Sequence, residues 1–198
     1  AMRMVIRSSG GMHEVDVEGL LSQKRILFLE EAITMEKASA FAKQMMYLMQ
    51  VDSDAPIVLC INSPGGDIEA GMMIYDIIQT STAPVVLSCL GQVCSLAAIL
   101  FASVRHGRYI VPHSKVMIHE PQLLTNNIGG KYSSLQSMTS SLLKTKHEIE
   151  VILAKHTKKA PAEIAEATRT DHYFSAEEAV KFGLADKFMG FAQMMELG

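Results

Sequence analysis

The sequence predicts an α/β fold built on a largely parallel sheet. Short apolar segments alternate with helix-forming segments along the first half of the chain, as strands and helices do in such folds. Residues 57–61 (IVLCI) are apolar at every position, which indicates a strand buried on both faces. The length of 198 residues suits one domain, and no linker or low-complexity stretch divides it. We therefore expect a single domain over residues 1–198.

The elements of the first half follow one another without long connections. The predicted order is strand 25–29, helix 35–50, strand 57–61, helix 67–80, strand 85–89, helix 94–103, and two short strands near 108–111 and 115–118. Helix 35–50 is rich in Ala, Met, Lys and Gln, which are good helix formers. Gly91 is expected to end the third strand.

The second half is expected to be mostly helical. Residues 121–132 are polar and rich in turn-forming residues, and a long helix is predicted from about 132 to 157. Spacings of three and four place one stripe along this helix, formed by Leu135, Met138, Leu142, Thr145, Ile149, Ile152 and His156. A long helix with one narrow stripe is expected to project from the domain or to pack on a partner. Pro161 begins a short helix, and Ser175 begins a capping box for helix 176–182, which Gly183 ends.

Composition and charge exclude several classes of function. A net charge of -3 and a pI near 6.2 argue against a general nucleic-acid binder. The three cysteines, at positions 60, 89 and 94, form no Cys-x-x-Cys pair, which favours free thiols in a reducing compartment. We see neither a targeting segment nor an apolar run near the ~20 residues of a membrane span. A soluble protein of the cytoplasm, either bacterial cytosol or organelle matrix, is expected.

Two candidate nucleophiles stand side by side after the third strand. Ser95 is expected at the start of an apolar helix, where unpaired backbone N–H groups and the helix dipole favour negative charge. A serine there could attack a carbonyl while nearby amides hold the oxyanion, although a simple helix cap is the other interpretation. Cys94 would compete as a nucleophile if its pKa were lowered, whereas a buried cysteine would be inert.

A base and an acid can be proposed for that nucleophile. His119 ends an apolar strand and is followed by Glu120 and Pro121, a position that suits a side chain facing a cleft. Asp171 precedes the capping box and could orient a histidine, as the third group of a triad does. Six other histidines and three other aspartates compete at this stage: His13, His106, His113, His147, His156, His172, Asp67, Asp76 and Asp186.

Two consecutive glycines leave a stretch of backbone without side chains. Gly65 and Gly66 follow Ser63-Pro64 and could approach a peptide closely or lend an amide to an oxyanion hole, although a tight helix entry is the alternative. The pair lacks the Gly-x-Gly-x-x-Gly pattern of dinucleotide sites and the Walker pattern. Since no His-Glu-x-x-His or paired-cysteine motif is present, neither a metal site nor another cofactor is expected.

Taken together in order, the motifs resemble one family. They are Ile61-Asn62-Ser63-Pro64-Gly65-Gly66, Gly71-Met72, Ile74-Tyr75-Asp76, Gly91-Gln92-x-x-Ser95, Met117-Ile118-His119-x-Pro121, Asp171-x-x-Phe174-Ser175-Ala176-x-Glu178-Ala179 and Gly183-Leu184. This pattern, over residues 4 to about 188, is similar to that of the proteolytic subunit of the Clp ATP-dependent protease.

The resemblance implies a crotonase-like α/β fold and a serine endopeptidase. Ser95 would be the nucleophile, His119 the general base and Asp171 the orienting acid. The amides of Gly66 and Leu96 would hold the oxyanion, and Gly65 and Pro121 would contribute to substrate binding.

The resemblance also implies an assembly and its partners. Residues of about 1–18 would form an N-terminal axial segment, and residues of about 121–157 a handle of strand and helix that interlocks two seven-membered rings. An AAA+ unfoldase ring would feed unfolded polypeptides into the barrel, and neither nucleic acid nor membrane would be a partner.

Some positions depart from the family pattern and indicate a divergent paralogue. Thr170 stands where many members have an arginine that couples the triad to ring–ring contact, and Cys60 replaces a frequent tyrosine. The excursion 121–131 is longer than usual. These departures leave a second hypothesis open, a mainly structural subunit of a mixed barrel with another paralogue. An acyl-CoA enzyme, the third hypothesis, is disfavoured by the Ser, His and Asp set.

Overall fold

A computed structural model describes residues 2–122 and 131–197. Its main sheet has seven strands, and β1 and β2 form a separate hairpin. The strands are β1 (Arg3–Ser8), β2 (Gly11–Asp16), β3 (Ile26–Glu30), β4 (Ile57–Ser63), β5 (Val85–Cys94), β6 (Arg108–Ile110), β7 (Lys115–Ile118), β8 (His172–Ser175) and β9 (Lys187–Phe188). The main path runs β3-β4-β5-β6-β9 with parallel pairing, while β7 pairs with β5 and also, in antiparallel fashion, with β8. The predicted α/β class with mostly parallel strands is confirmed.

Helices connect the strands and cover the sheet. They are α1 (Val17–Gln23), α2 (Met35–Val51), α3 (Ile68–Thr80), α4 (Leu96–Ala102), α5 (Tyr132–Thr157), α6 (Pro161–Thr168), α7 (Ala176–Phe182) and α8 (Phe191–Met194). The helix α4 is buried at every position, which explains its uniformly apolar sequence. It packs among β4, β5, β7, α3 and α5 at the centre of the core.

The strand β5 is longer than the sequence predicts, and this length matters for the site. We expected it to end at Gly91 and helix α4 to begin at 94, but the strand continues to Cys94 and the helix begins at Leu96. Its first half pairs with β6 and its second half with β7. At the junction Gly91 adopts a φ of 94° and donates its N–H to Ser114 Oγ at 2.8 Å, so the glycine bends the strand instead of ending it.

Several short strands leave no clear signal in the sequence and were not predicted. The hairpin β1–β2 and the edge strand β8 lack a clear apolar alternation, since their side chains are mostly exposed. Their pairing comes from contact with a neighbouring strand, which a local pattern does not encode. The capping box at Ser175 is confirmed, because Ser175 Oγ accepts from the Glu178 N–H while the Glu178 carboxylate accepts from the Ser175 N–H.

The long helix α5 projects over its first part. Residues 131–141 are all exposed, whereas Ile149, Ile152 and Leu153 are buried. The predicted stripe is therefore buried toward the carboxyl end of the helix, while Leu135 and Met138 remain exposed. The strand expected within the handle falls largely on residues 123–130, which lie outside the described residues.

An ion pair between the buried Arg108 and the half-exposed Asp186 connects the β6–β9 edge of the sheet to the helical layer. The Arg108 guanidinium binds both carboxylate oxygens of Asp186, at 3.2 and 2.7 Å, and also donates to the carbonyl oxygens of Ala102 and Gly183. Burial alone would raise the pKa of Asp186, but Arg108 outweighs it and lowers that pKa. In the described ranges 2–122 and 131–197, no helix is long and apolar enough to cross a membrane.

Candidate active site

Three neighbouring parallel strands end at the same edge of the sheet and carry the candidate residues there. The glycine pair Gly65-Gly66 follows β4, Ser95 follows β5, and His119 follows β7. Side chains at the carboxyl ends of parallel strands meet in the crevice beyond the sheet, where ligands of open α/β folds bind. The topology therefore brings together residues that are up to 54 positions apart in the sequence.

Ser95 occupies the turn between β5 and α4 in an uncommon backbone conformation. Its φ is 55° and its ψ is -126°, a region that non-glycine residues rarely adopt and that costs on the order of 1–3 kcal/mol. It stands at the N-cap position, yet its side chain makes no capping hydrogen bond. The simple helix-cap interpretation is therefore wrong. The hydroxyl is instead directed to His119.

His119 completes a close pair with Ser95. Its Nε2 lies 2.8 Å from Ser95 Oγ, and its Nδ1 lies 3.5 Å from Oδ1 of Asp171. The first distance is that of a hydrogen bond, whereas the second is too long for one. Accordingly, Nδ1 is buried without a hydrogen-bond partner among the described residues. The His119 side chain is 15% exposed and that of Asp171 is 53% exposed, so the acid sits at the outer rim of the site.

The competing aspartates have other positions in the fold. Asp67 caps helix α3 by accepting from the Ala70 N–H at 2.8 Å, and Asp186 pairs with Arg108. Asp76 is exposed on α3. Of the four aspartates considered, Asp171 is the one that lies against His119.

Cys94 lies next to Ser95 but is poorly suited to attack a substrate. Its side chain is buried, with Sγ 3.7 Å from Gln92 Oε1. Burial raises the pKa of the Cys94 thiol, which keeps it in the weakly nucleophilic protonated form at neutral pH. The arrangement thus favours Ser95 as the nucleophile.

The glycine pair packs directly against Ser95. A Cβ at Gly65 would lie 2.8 Å from the Cys94 carbonyl oxygen and 2.9 Å from Ser95 Cβ, so no other residue fits there without displacement. Ile33 fixes the turn from the other side, because its N–H donates to the Gly65 carbonyl and its own carbonyl accepts from the Asp67 N–H. Ile33 was not identified from the sequence, since an isolated bridge leaves no periodic signal.

A cleft of about 270 Å³ opens beside these residues. Gly66 and Leu96 both line it, as Ser95 and His119 do. Leu96 is the first residue of α4, where a backbone N–H has no partner within the helix. In the described part of the chain, neither the Gly66 nor the Leu96 N–H donates a hydrogen bond. Both amides are therefore available to an oxygen atom placed in the cleft.

The rest of the cleft wall is largely apolar. It is formed by Pro64, Ile68, Ile99, Met117, Pro121, Gln122 and Ile149. Pro121 was expected from the sequence, and Ile149 belongs to the stripe predicted for α5. The other apolar residues were not assigned to a cleft from the sequence, because apolar residues that line a cleft give the same sequence signal as residues of the core. Within the described ranges, no group of His, Cys, Asp and Glu side chains could hold a metal ion.

The molecule is thus an α/β protein with a serine–histidine pair and free amides at the ends of parallel strands, which is the arrangement of an acyl-transfer site. A family model described as Clp protease matches residues 9–191 of the chain. The chain belongs to the Clp protease family, and it is a peptidase of the type of the family's proteolytic subunit. The resemblance stated from the motifs is confirmed, and so is the expected fold.

Membership of the Clp protease family bears on how copies of this chain assemble. The Clp protease family implies association of the chain into rings and partnership with Clp ATPases. The projecting part of α5 is consistent with such association, because its exposed apolar residues, among them Leu135, Met138 and Leu143, find no cover within the described chain.

Proposed function

We propose that this protein is a self-compartmentalised serine endopeptidase that cleaves unfolded polypeptides through an acyl-enzyme. The observation that carries the proposal is the 2.8 Å contact between Ser95 Oγ and His119 Nε2 in a cleft lined by two free amides. A hydroxyl bonded to an imidazole at this distance can lose its proton as it attacks a carbonyl. The mechanism needs neither metal nor cofactor.

Each residue has a role in the proposed reaction. Ser95 Oγ attacks the carbonyl carbon of the peptide bond while His119 Nε2 takes the hydroxyl proton. The Gly66 and Leu96 amides stabilise the oxygen that becomes negative, an effect worth about 2.7–4 kcal/mol per donor in a related site. His119 then returns the proton to the leaving amine, and water hydrolyses the ester. Asp171 would orient the imidazole once its carboxylate moves within hydrogen-bond distance of Nδ1.

The substrate and its delivery follow from the cleft and the family. An apolar wall of Ile68, Ile99, Met117 and Ile149 favours an apolar side chain next to the cleaved bond. We propose that seven-membered double rings enclose the sites and that an AAA+ unfoldase supplies unfolded chains. The cytoplasm, where such ATPases have ATP, is the proposed location.

A second hypothesis has one observation in its favour. The unpartnered Nδ1 of His119 and the half-exposed Asp171 describe a triad that is incomplete in the single chain. A mainly structural subunit, or one that gains activity only beside a paralogue in a mixed barrel, would have such a site.

Labelling with a fluorophosphonate probe tests the proposal. We expect the unmodified protein to label and to hydrolyse a fluorogenic peptide. Ser95→Ala should abolish both, while its sedimentation stays unchanged because the exchange removes one oxygen atom at the site. Cys94→Ala is the matched control and should keep most of the activity, since that thiol is buried. Labelling that survives in Ser95→Ala, or a protein that never labels with or without a paralogue, would contradict the proposed peptidase.

A further inference from the structure

An ion pair crosses from the segment that follows β7, which carries His119, to the long helix α5. The Nζ atom of Lys146 lies 2.5 Å from Oε2 of Glu120, and the pair is only partly exposed, at 35% and 40% of the two side chains. Glu120 directly follows the proposed base, and Lys146 lies in the half of α5 that contacts the domain. The pair joins segments 26 positions apart, so it is a tertiary contact and not a local one.

A second carboxylate extends the contact along the helix. Glu150 lies one turn beyond Lys146, with its Oε1 4.0 Å from Nζ, and this oxygen is buried without a hydrogen-bond partner in the described part of the chain. The Glu150 side chain is 16% exposed. A buried carboxylate that accepts no hydrogen bond is costly unless a cation is near. The Lys146 ammonium therefore stabilises the carboxylates of both Glu120 and Glu150. The hydrogen bond to Glu120 raises the pKa of Lys146, which therefore stays charged at neutral pH.

The pair joins two segments that contribute to the cleft wall. On one side, His119, Pro121 and Gln122 flank Glu120 in the sequence and line the cleft. On the other side, Ile149 of α5 lines it and stands next to Glu150. The segment after β7 and the helix α5 thus both contribute to the cleft wall, and the ion pair joins them. The backbone of Glu120 is held independently, because its N–H donates to the Thr168 carbonyl at 2.7 Å.

We infer that Lys146, held by Glu120 and Glu150, is a positioning residue that sets the width of the substrate cleft and thereby the preference for the apolar side chain bound there. The inference rests on the proposed peptidase. Since the strand end is anchored through its backbone, loss of the side-chain pair releases α5 and Ile149 more than it releases His119. Loss of the pair should therefore weaken binding of the substrate side chain more than it slows proton transfer.

Two variants from opposite ends of the pair test this role. Lys146→Met keeps most of the stem and removes the charge, and Glu120→Gln keeps the shape and removes the other charge. We expect each to raise KM for a peptide with leucine before the cleaved bond by about three- to tenfold, with a smaller change in kcat. The preference for leucine over alanine at that position should fall by a similar factor. Lys146→Arg, which restores the charge, should recover most of it.

A double variant and a surface control separate this role from general destabilisation. Because the two residues act as one contact, Glu120→Gln combined with Lys146→Met should be little worse than either alone. Lys181→Met removes a 2.7 Å surface pair with Glu177 on α7 and should leave the leucine preference unchanged. Thermal unfolding of each variant shows whether it folds.

The outcomes distinguish the two proposals. If the unmodified protein fails to label with fluorophosphonate under any condition, the proposed peptidase is wrong. If it labels and hydrolyses peptides, but the leucine preference is unchanged in both Lys146→Met and Glu120→Gln, the positioning role is wrong. A fall in kcat alone, with KM unaltered, would also overturn it, because it would show that the pair acts on the reacting groups.

Discussion

At the scale of single residues, the candidate site depends on backbone that tolerates no side chain. Gly65 has a φ of 94° and touches the nucleophile's own turn, so both its conformation and its surroundings require glycine. The strained backbone of Ser95 is held by this contact and by the bond from its N–H to the Met117 carbonyl at 2.8 Å. The serine is thus fixed from two sides before a substrate arrives.

Gly65→Ala should damage both the site and the fold. The new Cβ would meet the Cys94 carbonyl oxygen and Ser95 Cβ below 3.0 Å, in a conformation that L residues rarely adopt. We expect a loss of about 1–3 kcal/mol in the free energy of unfolding and a loss of peptide hydrolysis and fluorophosphonate labelling of at least tenfold. Urea unfolding and the labelling rate measure these effects.

Gly190→Ala is the control for that substitution. Gly190 has an ordinary φ, and the nearest atom to its added Cβ is Gln193 Oε1 at 3.5 Å, an ordinary contact. It should leave stability and labelling nearly unchanged. If Gly65→Ala behaves like this control, the turn can rearrange and does not fix Ser95.

At the scale of elements, sequence reasoning succeeded where a pattern is local and repeated. The apolar strands β3 and β4 and the helices α2, α3 and α5 were placed within one or two residues of their bounds, since burial on one or both faces leaves a clear period. The end of β5 was misplaced, because the strand passes from β6 to β7 through Gly91 and only the tertiary pairing shows it. Short edge strands such as β8 carry too few residues to show a period.

The same distinction applies to the candidate site. Ser95, His119 and Asp171 could be selected because their residue types and motifs are specific. The cleft wall and the ion pair of Lys146 with Glu120 could not be selected in this way. They are formed by common residue types, which come together only when α5 packs on the domain. The 3.5 Å gap between Asp171 and His119 is likewise a property of geometry and not of sequence.

The packing of α5 onto α3 predicts a dependence of stability on pH. His156 Nε2 lies 3.2 Å from the Tyr75 hydroxyl, and the two rings meet edge to face. Burial lowers the pKa of His156 from 6.5 to about 4, with help from the charges of Lys155, Arg108 and Arg105. As the pH falls below 6.5, the ordinary pKa of histidine, His156 takes up a proton in the unfolded chain but not yet in the folded protein. The free energy of unfolding therefore decreases progressively between about pH 6.5 and 4.

His156→Gln should remove this pH dependence of the free energy of unfolding while keeping a polar partner for Tyr75. After allowance for the half-exposed position of the ring, the unmodified protein should lose on the order of 1–2 kcal/mol more than the variant over that interval. Urea unfolding at several pH values measures the difference between the two proteins. His147→Gln, at an exposed position of the same helix, is the control. Parallel curves for His156→Gln and the unmodified protein would contradict the expectation.

At the scale of the whole molecule, several large apolar side chains on α2 and α5 are exposed in the single chain. Tyr132, Met138 and Leu143 are exposed on α5, and Met46 and Tyr47 on α2. Isolated exposed apolar residues are ordinary, but several on each of two helices fit surfaces that other copies cover. The ring assembly that the family implies accounts for them.

Weak coupling between rings is expected from the segment that carries Asp171. Thr170 is exposed, and the resemblance drawn from the sequence motifs leads us to expect an arginine at this position. An arginine can hold a carboxylate with a planar fork of donors across an interface, whereas threonine has one hydroxyl and no charge. The neighbouring Arg169 pairs with Glu166 at 2.9 Å within the chain, and neighbours in an extended segment point to opposite sides, so we do not expect it to replace an arginine at position 170.

The protein alone should therefore favour single rings, or double rings with low peptidase activity. Asp171 follows Thr170 directly and is already 3.5 Å from His119, so a loose interface leaves the acid without the support that would bring it closer. Sedimentation velocity at micromolar concentration, at low and at high salt, measures the oligomer, and peptide hydrolysis is followed in the same samples. A candidate paralogue, added as a control, should increase both mass and rate if mixed barrels form. A stable, salt-resistant double ring with full activity from this chain alone would show that α5 and the apolar surfaces hold the rings together without an arginine at position 170.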